Sequence, residues 1–550
     1  MKKLIFLPLL ATYPILFLAT SSPGQVEWRT VALVAFVAVV ASIVAGVFLR
    51  SIARSTASAA VATTLLVVMF FAYGHFADYI DRLGEALDLG NHEVPNVLDL
   101  YRNARVAIAC VWAAIAVFAA WRVARAKWSA RDEVVKTLNF ASISLVTLAM
   151  FAPVWGWLTH RSDAAGSITT LGGDSDRVGH PSAVGRPDVY FIVLDGYARQ
   201  DVLARYYGTR NDRFLTELRA RNFSVSTESS SNYNWTFLSL ASTLNLGYIH
   251  DLFANDLTAT SIDRSIVYDR IRDNETARFL RARGYRTVHV QSTWGATSTN
   301  PYANQEIRCQ QGLYSNEFVR VVAEASWLRA FNSRAGADLA RCHLANFEAL
   351  SHMGSEPGPK FVFAHFVLPH HPYLFDRDGT ILRNAVVSNQ FEFQRQLWED
   401  RAAYAAQLEF VNHKVIETID AILGASATPP IIVLASDHGP GITRGLGNGE
   451  YAALRLANLG AYHLPGAPTD LIPNAGSAVN QFRNILSYYF DADLPPLPDR
   501  HFVSSTARPY AFREVPHDLL KSWWTVPDTA AQALHSNKIL ASETPRENVR

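Results

Sequence analysis

Val189-Tyr-Phe-Ile-Val-Leu-Asp195-Gly196 is an unbroken apolar run that stops at a carboxylate and a glycine. Far along the chain, Ile431-Ile-Val-Leu-Ala-Ser-Asp437-His438-Gly439 repeats the pattern. Apolar runs without polar alternation are what strands buried on both faces require. In open parallel sheets, ligands gather just beyond the carboxyl ends of the strands. The two runs therefore place Asp195, Asp437 and His438 at one sheet edge, as hard oxygen and nitrogen donors suited to a divalent metal.

Outward from these strands, the chain after Asp188 alternates strand and helix signals. Asn211–Ala220 and Asp269–Arg283 read as helices, the second ending at Gly284 before a strand over Tyr285–Gln291. Lys360–Val367 is a further apolar strand. Ala402–Leu423 spaces Tyr404, Leu408, Val411, Val415, Ile419 and Ile422 by threes and fours, an amphipathic helix. This order predicts an α/β domain over 188–505, with a mainly parallel sheet covered by helices on both faces. Residues 161–187, rich in Gly, Ser and Asp, read as a flexible linker. The tail 506–550 has weak periodicity, and its Trp523 and Trp524 could pack on the domain or rest at a membrane interface.

Residues 1–160 differ in kind. Leu4–Thr20, Thr30–Leu49, Thr56–Tyr73, Val106–Trp121 and Leu138–Leu158 give about five apolar stretches, against the roughly 20 residues a span needs. The first and fourth are short, and Lys2-Lys3 followed by a short apolar run also fits a cleaved signal sequence. Alternation puts Lys2, Lys3, Arg50, Arg54, Arg122, Arg125, Lys127, Arg131 and Lys136 on one side. Asp78, Asp81, Glu85, Asp88, Glu93 and Asp99 fall on the other. The positive-inside rule makes the N-terminus cytoplasmic and everything after Leu158 extracytoplasmic, in a multi-pass protein of the cell (inner) membrane. There Cys309 and Cys342 are a candidate disulfide, with two unpaired buried thiols as the alternative. A net charge of +1 in 550 residues argues against nucleic-acid binding.

Two further segments carry chemistry. Ser231-Asn-Tyr-Asn-Trp-Thr236-Phe-Leu-Ser239 reads as a polar turn entering a helix, whose first turn attracts phosphate or sulfate. Thr236 sits where that helix begins, as a candidate nucleophile or simply a capping residue. Phe361-Val-Phe-Ala-His365-Phe-Val-Leu-Pro369-His370-His371-Pro372 runs from a strand into a proline-stiffened loop. His370 is a candidate proton donor or anion clamp, although a loop histidine is also commonly structural. The glycine-rich stretch 439–449 lacks the Lys-Ser/Thr ending of a P-loop; its Arg444 is a candidate phosphate contact or a solvated surface residue. Trp294 and Tyr302 could line an acceptor groove.

The order Asp195, Thr236, His370-x-Pro372 and Asp437-His438-Gly439 resembles the alkaline phosphatase superfamily in its sulfatase-like branch. Preceded by membrane spans, it is most similar to lipoteichoic acid synthases and to phosphoglycerol and phosphoethanolamine transferases. The resemblance implies one divalent ion (Mn, Mg or Zn) on Asp195, Thr236, Asp437 and His438, with Thr236 the nucleophile and His370 meeting the substrate or leaving group. It implies a membrane phospholipid donor, a glycan or lipid acceptor, and transfer of a head group through a phospho-threonine. A phosphoric ester hydrolase with the same site and a non-catalytic membrane protein on this fold are the alternatives. Sulfate-ester hydrolysis is disfavoured, because no Cys/Ser-x-Pro-x-Arg motif surrounds Thr236.

Overall fold

The structure, a computed structural model, describes residues 4–21, 26–87, 97–127, 131–160, 186–309, 312–383, 385, 387 and 397–524. Most of the expected linker (161–185), the end of the tail (525–550), and Asp88 and Glu93 lie outside the described residues. The chain forms two compact units: Met1–Thr170 with Gly312–Asp338, and Leu171–Gln311 with Leu339–Arg550.

The first unit contains helices Phe6–Thr20, Trp28–Ile52, Thr56–Leu87, Val97–Arg125 and Arg131–His160. Four are long and apolar enough to cross a membrane, over Trp28–Ile52, Thr56–Ile80, Arg105–Arg125 and Glu133–Phe151. Phe6–Thr20 is apolar but only 15 residues long. At a rise of about 1.5 Å per residue it falls short of a hydrocarbon core about 30 Å thick. Of the five expected stretches, four thus meet the length and composition of a span among the described residues, and Phe6–Thr20 is a shorter apolar helix. Leu33, Phe36, Val44, Val47 and Phe48 are exposed along the second helix, as lipid-facing residues are, while small Ala59, Ala62, Ala120 and Ala124 make a buried contact.

Gly312–Asp338 belongs to this unit although it interrupts the region read as one continuous domain. Its helix Glu317–Glu324 sets Phe318 and Val322 against Ile15, Ala19 and Val31. Trp327 Nε1 donates to the Ala109 carbonyl at 2.9 Å, and Arg329 pairs with Asp78. The apolar partners of this insertion are the membrane helices, which local periodicity does not reveal.

In the second unit, strands β1 (Val189–Leu194), β2 (Phe223–Val225), β3 (Arg286–Val290), β4 (Gln305–Ile307), β5 (Lys360–Phe366), β6 (Ile431–Ala435) and β7 (Gly460–His463) form one sheet in the order β2-β7-β6-β1-β5-β3-β4. Only β7 runs antiparallel to its neighbours, so the sheet is mixed and mostly parallel. Alternate residues of β1 explain its continuous apolar character. Tyr190, Ile192 and Leu194 enter a core with Leu203, Leu408, Val411 and Ile419, whereas Val189, Phe191 and Val193 enter the opposite core with Phe237, Leu240 and Phe482. Helices cover both faces.

The long helix runs Arg401–Ala425, with the Asp400 side chain accepting from Ala403 N at 3.0 Å, and buries all six residues picked out by spacing. The expected helix Asp269–Arg283 is instead two, Ser265–Arg272 and Glu275–Ala282. Asn274 separates them, capping the second through its side chain on Ala277 N. Cys309 and Cys342 are joined as a disulfide. A short pair, β8 (His501–Val503) and β9 (Arg513–Val515), precedes a last helix His517–Trp524, in which Trp523 packs on a small core with Leu456 and Leu520.

Ile419 is fully buried between sheet and helix. Ile419→Ala is expected to destabilise the protein by about 2–5 kcal/mol. Exposed Glu417→Ala on the same helix should stay within roughly 0.5 kcal/mol. Thermal unfolding of both variants in detergent checks this.

Candidate metal centre

The sheet register builds the site. Val193 of β1 lies opposite His365 of β5 on one side and Ala435 of β6 on the other. The residues just past these positions, Asp195 and Asp437-His438, therefore emerge side by side at the carboxyl edge. Ligand atoms of Asp195, Asp437 and His438 all lie within 4.8 Å of one another, and all three residues are buried. His438 Nε2 is 3.0 Å from Asp437 Oδ2 and 3.9 Å from Asp195 Oδ1.

Thr236 is the first residue of helix Thr236–Leu244, with Trp235 at the cap. Its hydroxyl lies 3.0 Å from His438 Nε2, and the residue is half-buried. Thus Asp195, Thr236, Asp437 and His438 come together from two strand ends and a helix start. His370 sits at the rim. Its backbone N–H donates to Asp195 O at 3.1 Å, and its ring stands 4.7 Å from that of Trp398. Nδ1 of His370 lies 2.5 Å from the His371 carbonyl, which leaves Nε2 as the open ring nitrogen.

These residues fit a cation. Asp195 Oδ1 and Asp437 Oδ2 are buried without a hydrogen-bond partner in the structure. His438 donates Nδ1–H to Gly439 O at 2.9 Å, which fixes its tautomer and leaves the Nε2 lone pair facing the carboxylates. Burial and the neighbouring Asp195 charge push Asp437 up to about 7. Burial acts on Asp195 in the same direction, but His370, His365 and His438 together hold it below the usual carboxylate range. Burial, then the Arg455 charge, keep His438 well below the ordinary histidine range. Two carboxylates, an imidazole nitrogen and a hydroxyl form a donor set for Mn²⁺, Mg²⁺ or Zn²⁺.

Two glycines are required here. A Cβ on Gly439 would lie 2.2 Å from Leu454 O, and Gly196 has φ +67° with the Trp398 ring 2.6 Å from a Cβ position. Trp398, buried, thus covers the loop after β1, and it meets Gly441 of the loop after β6 as closely. Its neighbour Glu399 accepts from Thr443 N and Arg444 N, each at 2.8 Å. Arg444 itself is exposed in this loop.

Three residues at the site escaped the reading of the sequence. His365, buried in β5, places Nε2 3.4 Å from Asp195 Oδ2 while Nδ1 meets Thr297 Oγ1 at 2.8 Å. Its only signal was an imidazole inside an apolar strand. Arg455, on helix Asn448–Leu456, donates Nη2–H to His438 Nε2 at 2.9 Å. Trp398 gave no signal, being distant in sequence from everything it covers. Trp294 stands edge-on to His365 beside the site, with centroids 5.7 Å apart, whereas Tyr302 is exposed.

No curated protein sequence matches the chain significantly. Among solved structures, the C-terminal periplasmic domain of EcEptC from Escherichia coli in complex with Zn is similar at 12% identity, over 65% of this chain and 96% of that one, with a TM-score of 0.40. The integral membrane lipooligosaccharide phosphoethanolamine transferase A (EptA) of Neisseria meningitidis is similar at 11% identity, over 88% and 94%, with a TM-score of 0.37. The phosphonate monoester hydrolase of Agrobacterium radiobacter is similar at 14% identity, over 65% and 94%, with a TM-score of 0.39. Residues 187–480, more than half of the chain, match the sulfatase family. The protein belongs to that family, and is a sulfatase-like enzyme of the alkaline phosphatase superfamily.

Proposed function

We propose that this enzyme is a membrane-bound, metal-dependent phosphotransferase. It moves a phospho-head group, of the phosphoglycerol or phosphoethanolamine type, from a membrane phospholipid to a cell-surface glycan or lipid through an ester on Thr236. The observation that carries this reading is the hydroxyl of half-buried Thr236 at a helix start, 3.0 Å from His438 Nε2, which itself lies within 4.8 Å of the buried Asp195 and Asp437 ligand atoms. Asp195, Thr236, Asp437 and His438 would hold one divalent ion. Such an ion polarises a phosphoryl oxygen and lowers the pKa of the threonine hydroxyl.

Thr236 Oγ attacks phosphorus as its alkoxide, and the bond to the diacylglycerol oxygen breaks. The first-turn N–H groups of the Thr236 helix stabilise the phosphoryl oxygens. His370 manages the other proton. With Nδ1–H donated to His371 O, and with burial lowering its pKa, the resting ring is neutral and its Nε2 lone pair is open. Nε2 accepts the proton of the incoming acceptor hydroxyl in the second half-reaction. In the first, Nε2 takes up the proton that Thr236 gives up and passes it to the departing lipid alkoxide, so the ring is neutral again when the acceptor arrives. In the second, the proton taken from the acceptor is returned to the departing Thr236 oxygen. A catalytic domain carried on the same chain as membrane-spanning helices meets lipid donors at high effective concentration, and the Lys/Arg placement supports an extracytoplasmic catalytic domain at the cell (inner) membrane.

Mass spectrometry of the Thr236 peptide, after incubating the protein with metal and mixed phospholipids, is expected to find a head-group phosphate adduct that is absent from Thr236→Ala. Head-group release that needs Thr236 and proceeds equally well without any acceptor would replace the transferase with a hydrolase.

Metal binding should also depend on pH. Asp437, held up to about 7, carries a proton in the metal-free protein below that pH and must lose it to become a ligand. Mn²⁺ affinity is therefore expected to fall about tenfold per pH unit below pH 7 and to level off above it. Calorimetry at pH 6 in buffers of different ionisation enthalpy should register release of about one proton; zero release would remove the carboxylate pair from the ligand set.

A further inference from the structure

Arg455 is a permanent positive charge, 4% exposed, that forms no ion pair with a described carboxylate. Its Nε–H donates to Asn234 O at 2.9 Å, one Nη1–H to Gly439 O at 2.8 Å, and one Nη2–H to His438 Nε2 at 2.9 Å. The rings of Trp235 and Trp398 flank it, their centroids 5.6 and 5.7 Å from the guanidinium carbon. Three of its five N–H groups are thus engaged, none by an anion. Burying a cation without a counter-ion is costly, and the usual resolution is an anionic ligand.

The place of that ligand follows from a shared partner. Arg455 Nη2 and the Thr236 hydroxyl both meet His438 Nε2. The Nε2 lone pair can serve either the guanidinium or a metal ion, since Nδ1 holds the ring proton. An ion bound there releases Arg455 Nη2–H beside the nucleophile. Once released, the donor keeps its position, because Asn234 O, Gly439 O and the two indole rings still fix the guanidinium plane.

We propose that Arg455 is a metal-released clamp for the substrate's phosphoryl group, passing its Nη2 hydrogen bond from His438 to a non-bridging oxygen, and that it sets the substrate class to singly charged esters. The charge balance supports the second half of this. While the Thr236 hydroxyl still carries its proton, as it does when substrate binds, the two carboxylates would cancel a divalent ion, and the guanidinium charge remains. A phosphodiester monoanion neutralises it, whereas a phosphomonoester dianion leaves an excess negative charge in a buried site. This rests on the phosphodiester reading above, and adds the residue and the charge rule that select such a substrate.

The test uses the full-length protein in detergent with dimethyl phosphate as the probe, titrated with and without saturating Mn²⁺. The wild type is expected to bind dimethyl phosphate only when Mn²⁺ is loaded, and to prefer it to doubly charged methyl phosphate. Arg455→Met should weaken that binding about 10- to 150-fold, the range a charge-assisted hydrogen bond carries, and Arg455→Lys should fall between. Mn²⁺ affinity of Arg455→Met should stay the same or tighten, because a competitor for Nε2 is gone. Unchanged dimethyl phosphate binding in a folded Arg455→Met protein, judged by its thermal midpoint, would overturn the clamp. Loss of Mn²⁺ affinity in both variants would make Arg455 a support for His438 instead. Should the wild type bind dimethyl phosphate while Thr236 forms no adduct, the transfer reading fails and the clamp stands; an adduct with no effect of Arg455 gives the reverse.

Discussion

Two carboxylates buried at the ends of adjacent parallel strands are the constraint around which this site is arranged. Asp195 follows β1 and Asp437 follows β6, and register leaves them no room to separate. At an effective dielectric of about 20, like charges at that spacing repel by roughly 3–4 kcal/mol. That exceeds what a hydrogen bond such as Gly196 N–H to Asp437 Oδ1 returns. The response is visible beside them: a carboxyl held up to about 7, His438 kept neutral, and a guanidinium hydrogen-bonded to that imidazole's Nε2. A divalent cation at the junction would convert the repulsion into ligation.

Packing makes the loops that carry these groups rigid. Gly439 has no space for a side chain because Leu454 O and Ala457 O sit against it, and its N–H donates to Arg455 O at 2.8 Å. The loop bearing His438 and the helix bearing Arg455 are therefore one piece. Ser436 ties that piece to β1, accepting from Tyr197 N at 2.9 Å and donating to His438 O at 2.7 Å. Ser239 extends the tie to the Thr236 helix through Asp437 O at 2.6 Å. Thr236, Asp437, His438 and Arg455 share a frame of hydrogen bonds in which a shift of one displaces the others.

Much of the fold could be read from local pattern, because burial on two faces and burial on one stripe leave different periodicities. The runs ending at Asp195 and Asp437, and the threes and fours of Tyr404 to Ile422, are of this kind. Asp195, Asp437 and His438 were visible because polar residues ending apolar strands stand out. Thr236 was visible only as a helix start. His365 was hidden within its own strand, and it matters through register with Val193, a property of the pair. Arg455 and Trp398 act on residues remote in sequence. The insertion 312–338 was misplaced because the surface it packs on is a set of membrane helices. The break at Asn274 had a local cause, a capping side chain, that an otherwise helical pattern obscured.

Membership of the sulfatase family leaves the reaction open, since one fold supports several ester chemistries. The nucleophile narrows it. Asn234-Trp235-Thr236-Phe237-Leu238 offers an ordinary hydroxyl with none of the Cys/Ser-x-Pro-x-Arg context. An ester on such a hydroxyl has to be released by a second attack on the same central atom. Phosphorus suits that sequence, since it is attacked in line by one oxygen and left by another in each half. The acceptor then decides the outcome: water gives hydrolysis, and a sugar or lipid hydroxyl gives transfer. Trp398 covers the loops after β1 and β6, and Thr236 is half-buried beside them. In the transfer reading proposed above, a sugar or lipid hydroxyl bound beside Thr236 has to outcompete water for the ester, and exclusion of water from the site is the physical means of doing so.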